Sequence, residues 1–195
     1  MNRRLFISAL LVCLLPFMAQ AQQIAFRFAQ LTDIHLSPSN PNPTEDLLRS
    51  IAQINATDSI DFVLVTGDIT EEGDRATMEK VKSCLDLLKV KYYVALGNHE
   101  TKWSDSGCTA FGEIFGERFD FEHKGFLFLG FNSGPLMRMA YGHVVPQDIR
   151  WMTERMNQYN TGDPQQNKPV ILVTHYPMIE GDVDNWYEVT CRTSV

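Results

Sequence analysis

Hydrophobic positions along the chain fall into short blocks that alternate between a period of two and a helical period. Ile24–Leu31 is apolar with the alternation of a strand, and Pro38, Pro41 and Pro43 then mark a loop. Thr44 is placed to cap a helix running through Asp46 to Asn55. Phe62-Val63-Leu64-Val65 is a continuous apolar run, the pattern of a strand covered on both faces. Met78, Val81, Leu85 and Leu88 recur at helical spacing, so Asp74–Lys89 predicts an amphipathic helix, and Tyr92–Leu96 returns to strand. A Gly-rich, less regular region follows, Gly97–Gly116. Phe119–Phe121 and Phe126–Phe131 predict a strand pair turning at Lys124-Gly125. Pro146 opens a helix that places Ile149, Met152 and Met156 on one face. Asn160–Asn167 is a polar loop, and Val170–Val173 is the last clear strand. An alternation of this kind, without internal repeats, predicts an α/β layered domain.

Four of the strands run directly into polar side chains able to bind a metal. The segments are Thr32-Asp33-Ile34-His35, Thr66-Gly67-Asp68-Ile69, Gly97-Asn98-His99-Glu100 and Thr174-His175-Tyr176-Pro177. Ligand sites of open α/β sheets gather outside the carboxyl ends of the strands, which is where these four clusters fall. An aspartate and a histidine two apart in extended chain point to one side and can clamp a single ion. Gly67 permits a sharp turn that exposes Asp68, whose two oxygens can join two ions. Asn98 offers a neutral oxygen, leaving His99 to act as acid or base with Glu100 near enough to orient it. Taken singly, each cluster also fits a structural role: Asp68 bonding its own backbone, Asn98-His99-Glu100 capping a loop, His175 packed beside a strand.

The 195 residues are 44% hydrophobic and 21% charged, an ordinary globular composition for one sizeable core. A net charge of −7 with no basic patch excludes a non-specific nucleic-acid binder, although a bound metal would supply the positive charge that a phosphate needs. Arg3 and Arg4, the apolar run Leu5–Phe17 and Ala19-Gln20-Ala21 form the three parts of a cleavable leader. The run is shorter than a membrane span. Residues 1–21 are therefore expected to be a signal peptide, with the mature domain at 22–195 exported to the periplasm or secreted and carrying no membrane anchor. Cys84, Cys108 and Cys191 then remain, giving either one bridge with a spare thiol or three free cysteines.

In order and spacing, D-x-H, G-D, G-N-H-E and a histidine after an apolar strand, the four clusters resemble the calcineurin-like metallophosphoesterase superfamily. The resemblance runs from Asp33 to about Pro177. FVLVTGDITEEGD followed by YYVALGNHE is most similar to the branch holding cyclic-nucleotide phosphodiesterases and glycerophosphodiesterases. Asp68 is followed by Ile69-Thr70-Glu71, with no tyrosine there, which counts against the tyrosinate–iron(III) site of purple acid phosphatases. The resemblance implies a layered α-β-β-α sandwich that hydrolyses small phosphomono- or phosphodiesters through a dinuclear metal site and a metal-bound hydroxide. It implies Asp33, His35 and Asp68 around a first ion, and Asp68, Asn98 and His175 around a second. His99 would contact the phosphate or protonate the leaving oxygen, with Glu100 behind it. Mixed nitrogen and oxygen ligands leave the two divalent ions open among manganese, iron and zinc. The H-E-x-x-H of a zinc peptidase is absent.

One family motif, G-H-x-H on a later strand, does not occur. Gly142-His143 is the only other G-H, with Val145 in place of the second histidine, so His143 reads as a loop residue. The domain is accordingly expected to be incomplete at its C-terminus, and a weakly metal-binding, non-catalytic remnant is the alternative to an active hydrolase. Specificity is expected in the loops Lys102–Gly107 and Gly134–Gly142, where Arg138 would either meet a phosphate or remain exposed. Trp103, Trp151 and Trp186 are candidates to stack a base or sugar, or to pack their own segments. Oligomeric state has no legible signal.

Overall fold

β2 (Phe62–Thr66) is buried along its whole length, and its alternate side chains feed two different cores. Val63 and Val65 pack among helical residues, while Phe62 and Leu64 pack against a second sheet. That is why the run lacks polar alternation: both faces are covered. Each such side chain contributes about 1.5–3 kcal/mol by leaving water.

A computed structural model describes residues 26–102, 107–134, 142–162 and 167–178. The expected leader at 1–21, together with Cys191, Trp103, Trp186 and Arg138, lies outside the described residues. The first sheet has β2 at its centre, between β1 (Phe28–Leu31) and β3 (Lys91–Ala95), all parallel. The second orders β4 (Phe119–His123), β5 (Phe126–Gly130) and β6 (Val170–Val173), with β4 antiparallel and β6 parallel to β5. Phe62, Leu64, Ala95, Phe128 and Val173 fill the space between the sheets.

Outside the first sheet lie α1 (Asn42–Ala56), α2 (Arg75–Leu85), α3 (Asn98–Lys102) and α4 (Gly107–Phe115). Leu47, Ile51, Met78, Val81, Leu85 and Phe111 supply the helical side of that core. Outside the second sheet, α5 (Pro146–Tyr159) packs Met152 and Tyr159 on Leu127 and Leu129. The order of layers is α-β-β-α, as the resemblance implies.

Several local expectations shift. α1 begins at Asn42 after Pro41, with no side-chain cap, so Thr44 lies inside the first turn. Pro43 fits there because first-turn N–H groups have no helical partner to lose. α2 is capped instead by Asp74, whose side chain accepts from the Thr77 N–H at 2.9 Å, and it ends at Leu85 rather than Lys89. The region expected to be irregular after Gly97 holds α3 and α4, because Ala110 and Phe111 have a core to enter. The turn at Lys124-Gly125 is as expected, both residues having positive φ (45° and 85°), which defines a type I′ hairpin. On α5 the buried face is Met152 and Tyr159 with Trp151 and Met156, while Ile149 is exposed.

Candidate metal centre

Past the ends of β1 and β2 the backbone stays paired. Asp33 N–H donates to the Gly67 carbonyl at 3.1 Å, and His35 N–H to the Asp68 carbonyl at 3.0 Å. Asp33, His35 and Asp68 have φ of 52°, 49° and 50°, so the D-x-H pair is left-handed rather than extended. Non-glycine residues held this way cost about 1–3 kcal/mol each, and such strain collects at functional sites. The side chains still converge: His35 Nε2 is 3.8 Å from Asp33 Oδ1 and 3.9 Å from Asp68 Oδ2.

Two glycines bring the remaining loops in. A Cβ on Gly67, where φ is +99°, would lie 2.8 Å from the Cβ and Cγ of His175. A Cβ on Gly97 would lie 2.1 Å from Asp68 N and 2.2 Å from Asp68 Oδ1. Gly97→Ala is therefore expected to cost about 1–3 kcal/mol or more, because the atoms in the way are backbone and a buried carboxylate. Gly112→Ala in α4, whose Cβ meets only Glu117 Cγ at 3.3 Å, is the control and should stay within about 1 kcal/mol. Urea denaturation of both variants measures the difference, and equal midpoints would refute the close approach.

Three imidazoles meet at one atom. His35, His99 and His175 place their Nε2 atoms 3.9, 3.9 and 3.3 Å from Asp68 Oδ2. Each Nδ1 faces an oxygen: His99 and His175 bond the Glu71 and Thr66 carbonyls at 2.7 and 2.8 Å, while His35 Nδ1 lies 3.0 Å from the half-exposed Glu71 Oε2. Asn98 Oδ1 lies 3.1 Å from His175 Nε2. Donor atoms of Asp33, His35 and Asp68 fall within 4.8 Å of one another, as do those of His35, Glu71 and His99. An open cavity of ≈ 420 Å³ is lined by Asp33, His35, Asp68, Asn98, His99 and His175.

Glu100 stands apart from that cavity. It is fully buried, and its two oxygens accept from Asp68 N–H, Gly97 N–H, Thr70 N–H and the Thr70 hydroxyl at 3.0–3.1 Å. His143 is exposed, its N–H bonded to the Ser133 carbonyl. Cys84 and Cys108 are free thiols.

Burial pushes the Asp68 carboxyl up, but hydrogen bonding and charge from His175, with the His99 N–H, outweigh it and hold Asp68 below the usual range. Burial pulls His175 down, and Asp68, the Thr66 carbonyl and Asp33 together leave it raised. Burial raises Glu100, against the donors of Thr70 and Gly97. The site thus holds an anionic oxygen with nitrogen lone pairs or N–H groups aimed at it. This donor set fits a borderline divalent cation.

Glu71 was not singled out from sequence. No spacing rule links Glu71 to histidines 36 residues before and 28 after.

The family model for calcineurin-like phosphoesterases matches residues 26–193. The chain is 22% identical over 177 residues to a 3′,5′-cyclic-nucleotide phosphodiesterase of Nostoc sp., covering 87% of this chain and 63% of that protein. It is 25% identical over 134 residues to a probable glycerophosphodiester phosphodiesterase of Arcobacter nitrofigilis, covering 64% of this chain and 45% of that one. The chain thus spans between about half and two thirds of the length of these relatives. In structure it is similar to a dimetal phosphatase from Danio rerio, with a TM-score of 0.60 at 12% identity, covering 80% of this chain and 71% of that one. That likeness is one of fold.

Proposed function

The chain belongs to the calcineurin-like phosphoesterase family, and on that premise we propose that it hydrolyses small phosphate esters, phosphodiesters foremost, with divalent metal. The observation that carries this reading is the convergence of three imidazole Nε2 atoms on Asp68 Oδ2 in an open cavity. Asp33, His35 and Asp68 would hold one ion, and Asp68, Asn98 and His175 a second. Bound ions supply Lewis acidity, offsetting phosphoryl charge and lowering the pKa of water toward about 7.

The chain's own contribution is orientation and a proton. The Glu71 carbonyl accepts Nδ1–H of His99 in both charge states of the ring, so the proton that moves is the one on Nε2. Delivered to the departing alkoxide oxygen, that proton is worth about 10²–10⁴-fold. Glu71, Thr66 and Glu100 fix the groups that touch ions or substrate. The leader-like N-terminus supports export to the periplasm or beyond. Among the described residues no helix is long and apolar enough to cross a membrane.

The test is metal content together with manganese-dependent turnover of bis-p-nitrophenyl phosphate. Near-stoichiometric metal is expected, with turnover removed by chelation and restored by manganese. Saturating metal should also raise unfolding free energy by about 2.7 kcal/mol at a hundredfold excess over Kd. Folded protein that neither takes up metal nor turns over substrate would refute the reading and leave a non-catalytic remnant.

A further inference from the structure

Glu71 touches two imidazoles through two different atoms. Its N–H is tied to the Leu36 carbonyl at 2.9 Å, which fixes its backbone against the loop that carries His35. Its carbonyl meets His99 Nδ1 at 2.7 Å, and its Oε2 lies 3.0 Å from His35 Nδ1. The two rings stand edge to face, centroids 4.5 Å apart at 88°. Both direct Nε2 to Asp68 Oδ2 at the same 3.9 Å. His35 Nδ1 is itself shut off from solvent. The carboxylate contact is at hydrogen-bonding distance but misses hydrogen-bond geometry, so His35 Nδ1 is a buried group with no hydrogen-bond partner as the side chains stand. The Glu71 side chain is 46% exposed, so its carboxylate has room to turn toward Nδ1 and stays partly solvated when it does.

We infer that Glu71 is a positioning residue whose carboxylate holds the Nδ1–H tautomer of His35, while its carbonyl does the same for His99. A proton kept on Nδ1 leaves the Nε2 lone pair of His35 facing Asp33 and Asp68, the form a cation requires. One residue thereby aligns an ion-binding imidazole and a proton-donating one. Naming those two roles rests on the phosphoesterase reading; the tautomer assignment does not. Glu71 is also within reach of acting as a ligand itself, since its donor atom groups with those of His35 and His99. The two roles part on glutamine: its amide oxygen still accepts Nδ1–H, whereas a neutral amide is a poorer ligand than a carboxylate.

The experiment is long-range ¹H–¹⁵N correlation of the imidazoles in metal-free protein at about pH 8.5, two units above the ordinary histidine pKa of about 6.5. Wild type, Glu71→Gln and Glu71→Ala are compared, with manganese affinity measured by calorimetry alongside. Wild type and Glu71→Gln should show His35 as the Nδ1–H tautomer, and Glu71→Ala should shift it toward Nε2–H. His99 should be unchanged in all three, because the carbonyl remains. Manganese affinity should stay within about threefold for Glu71→Gln and fall about 10–100-fold for Glu71→Ala, the range for losing an outer-shell partner of a ligating histidine. An Nε2–H tautomer of His35 in wild type overturns the inference. So does Glu71→Gln losing as much affinity as Glu71→Ala, which would make Glu71 a ligand. The tautomer readout needs no metal, so failure of the phosphoesterase reading, seen as wild type taking up no manganese, stays separate.

Discussion

Asp68→Asn is expected to abolish manganese-dependent turnover of bis-p-nitrophenyl phosphate while leaving the fold in place. The substitution is nearly isosteric, and the geometry says which half of the side chain matters. Oδ1 accepts the His99 N–H at 2.9 Å, a bond that an asparagine oxygen retains. Oδ2 is the atom on which His35, His99 and His175 converge, and an amide nitrogen there would present N–H to the place proposed for a cation. Charge and lone pair are lost together at the one oxygen central to the whole cavity. Losing a group that only orients a ligand costs about 10–100-fold in metal affinity, so loss of an oxygen that on the proposed reading would itself touch the metal should exceed about 100-fold in affinity and at least that in turnover. Metal content by mass spectrometry, turnover and the urea midpoint measure the three consequences. A variant that keeps its metal and a tenth of its activity would show that Asp68 is not the shared ligand, and a collapsed midpoint would show that its role is structural.

The residues of this site were legible because their chemistry and their position coincide. Asp33, Asp68, Asn98 and His175 each follow a strand whose apolar run announces its end; the parallel order of β1, β2 and β3 puts the first three ends side by side, and His175 arrives from β6 of the second sheet. The left-handed backbone at Asp33 and His35 was not legible, since it is imposed by pairing with the β2 loop. Nor was Glu71: its effect depends on a side-chain oxygen and a carbonyl reaching two loops far apart in sequence. Helices α3 and α4 were missed because Gly97, Gly107, Gly112 and Gly116 read as loop. Gly97 is there for the close approach to Asp68, and Gly116, at φ +92°, ends α4 with its N–H on the Gly112 carbonyl.

The largest effect on stability is expected at Glu100, a residue that never lines the cavity. Read from sequence it stands behind His99; in the structure both its oxygens are turned to the β2 and β3 loops. Truncating it to alanine would strand three backbone N–H groups, those of Asp68, Thr70 and Gly97, together with the Thr70 hydroxyl. Each buried donor left without a partner costs about 1–3 kcal/mol, partly offset because a carboxylate no longer has to be desolvated. A net loss of about 3–5 kcal/mol follows, against a total stability of about 5–15 kcal/mol for a domain of this kind. Glu100→Gln should lose less, about 1–3 kcal/mol, since one oxygen still accepts while the amide N–H faces donors. Metal affinity should fall with stability in both, because Glu100 ties the backbone of Asp68 to that of Gly97, the residue before Asn98. Urea denaturation of the metal-free proteins, paired with turnover of the metal-loaded ones, separates a brace from a catalyst. A brace loses stability in proportion to activity. If Glu100→Gln kept full stability and lost turnover, the carboxylate would have to act on His99 after all, as its place in the sequence first implies.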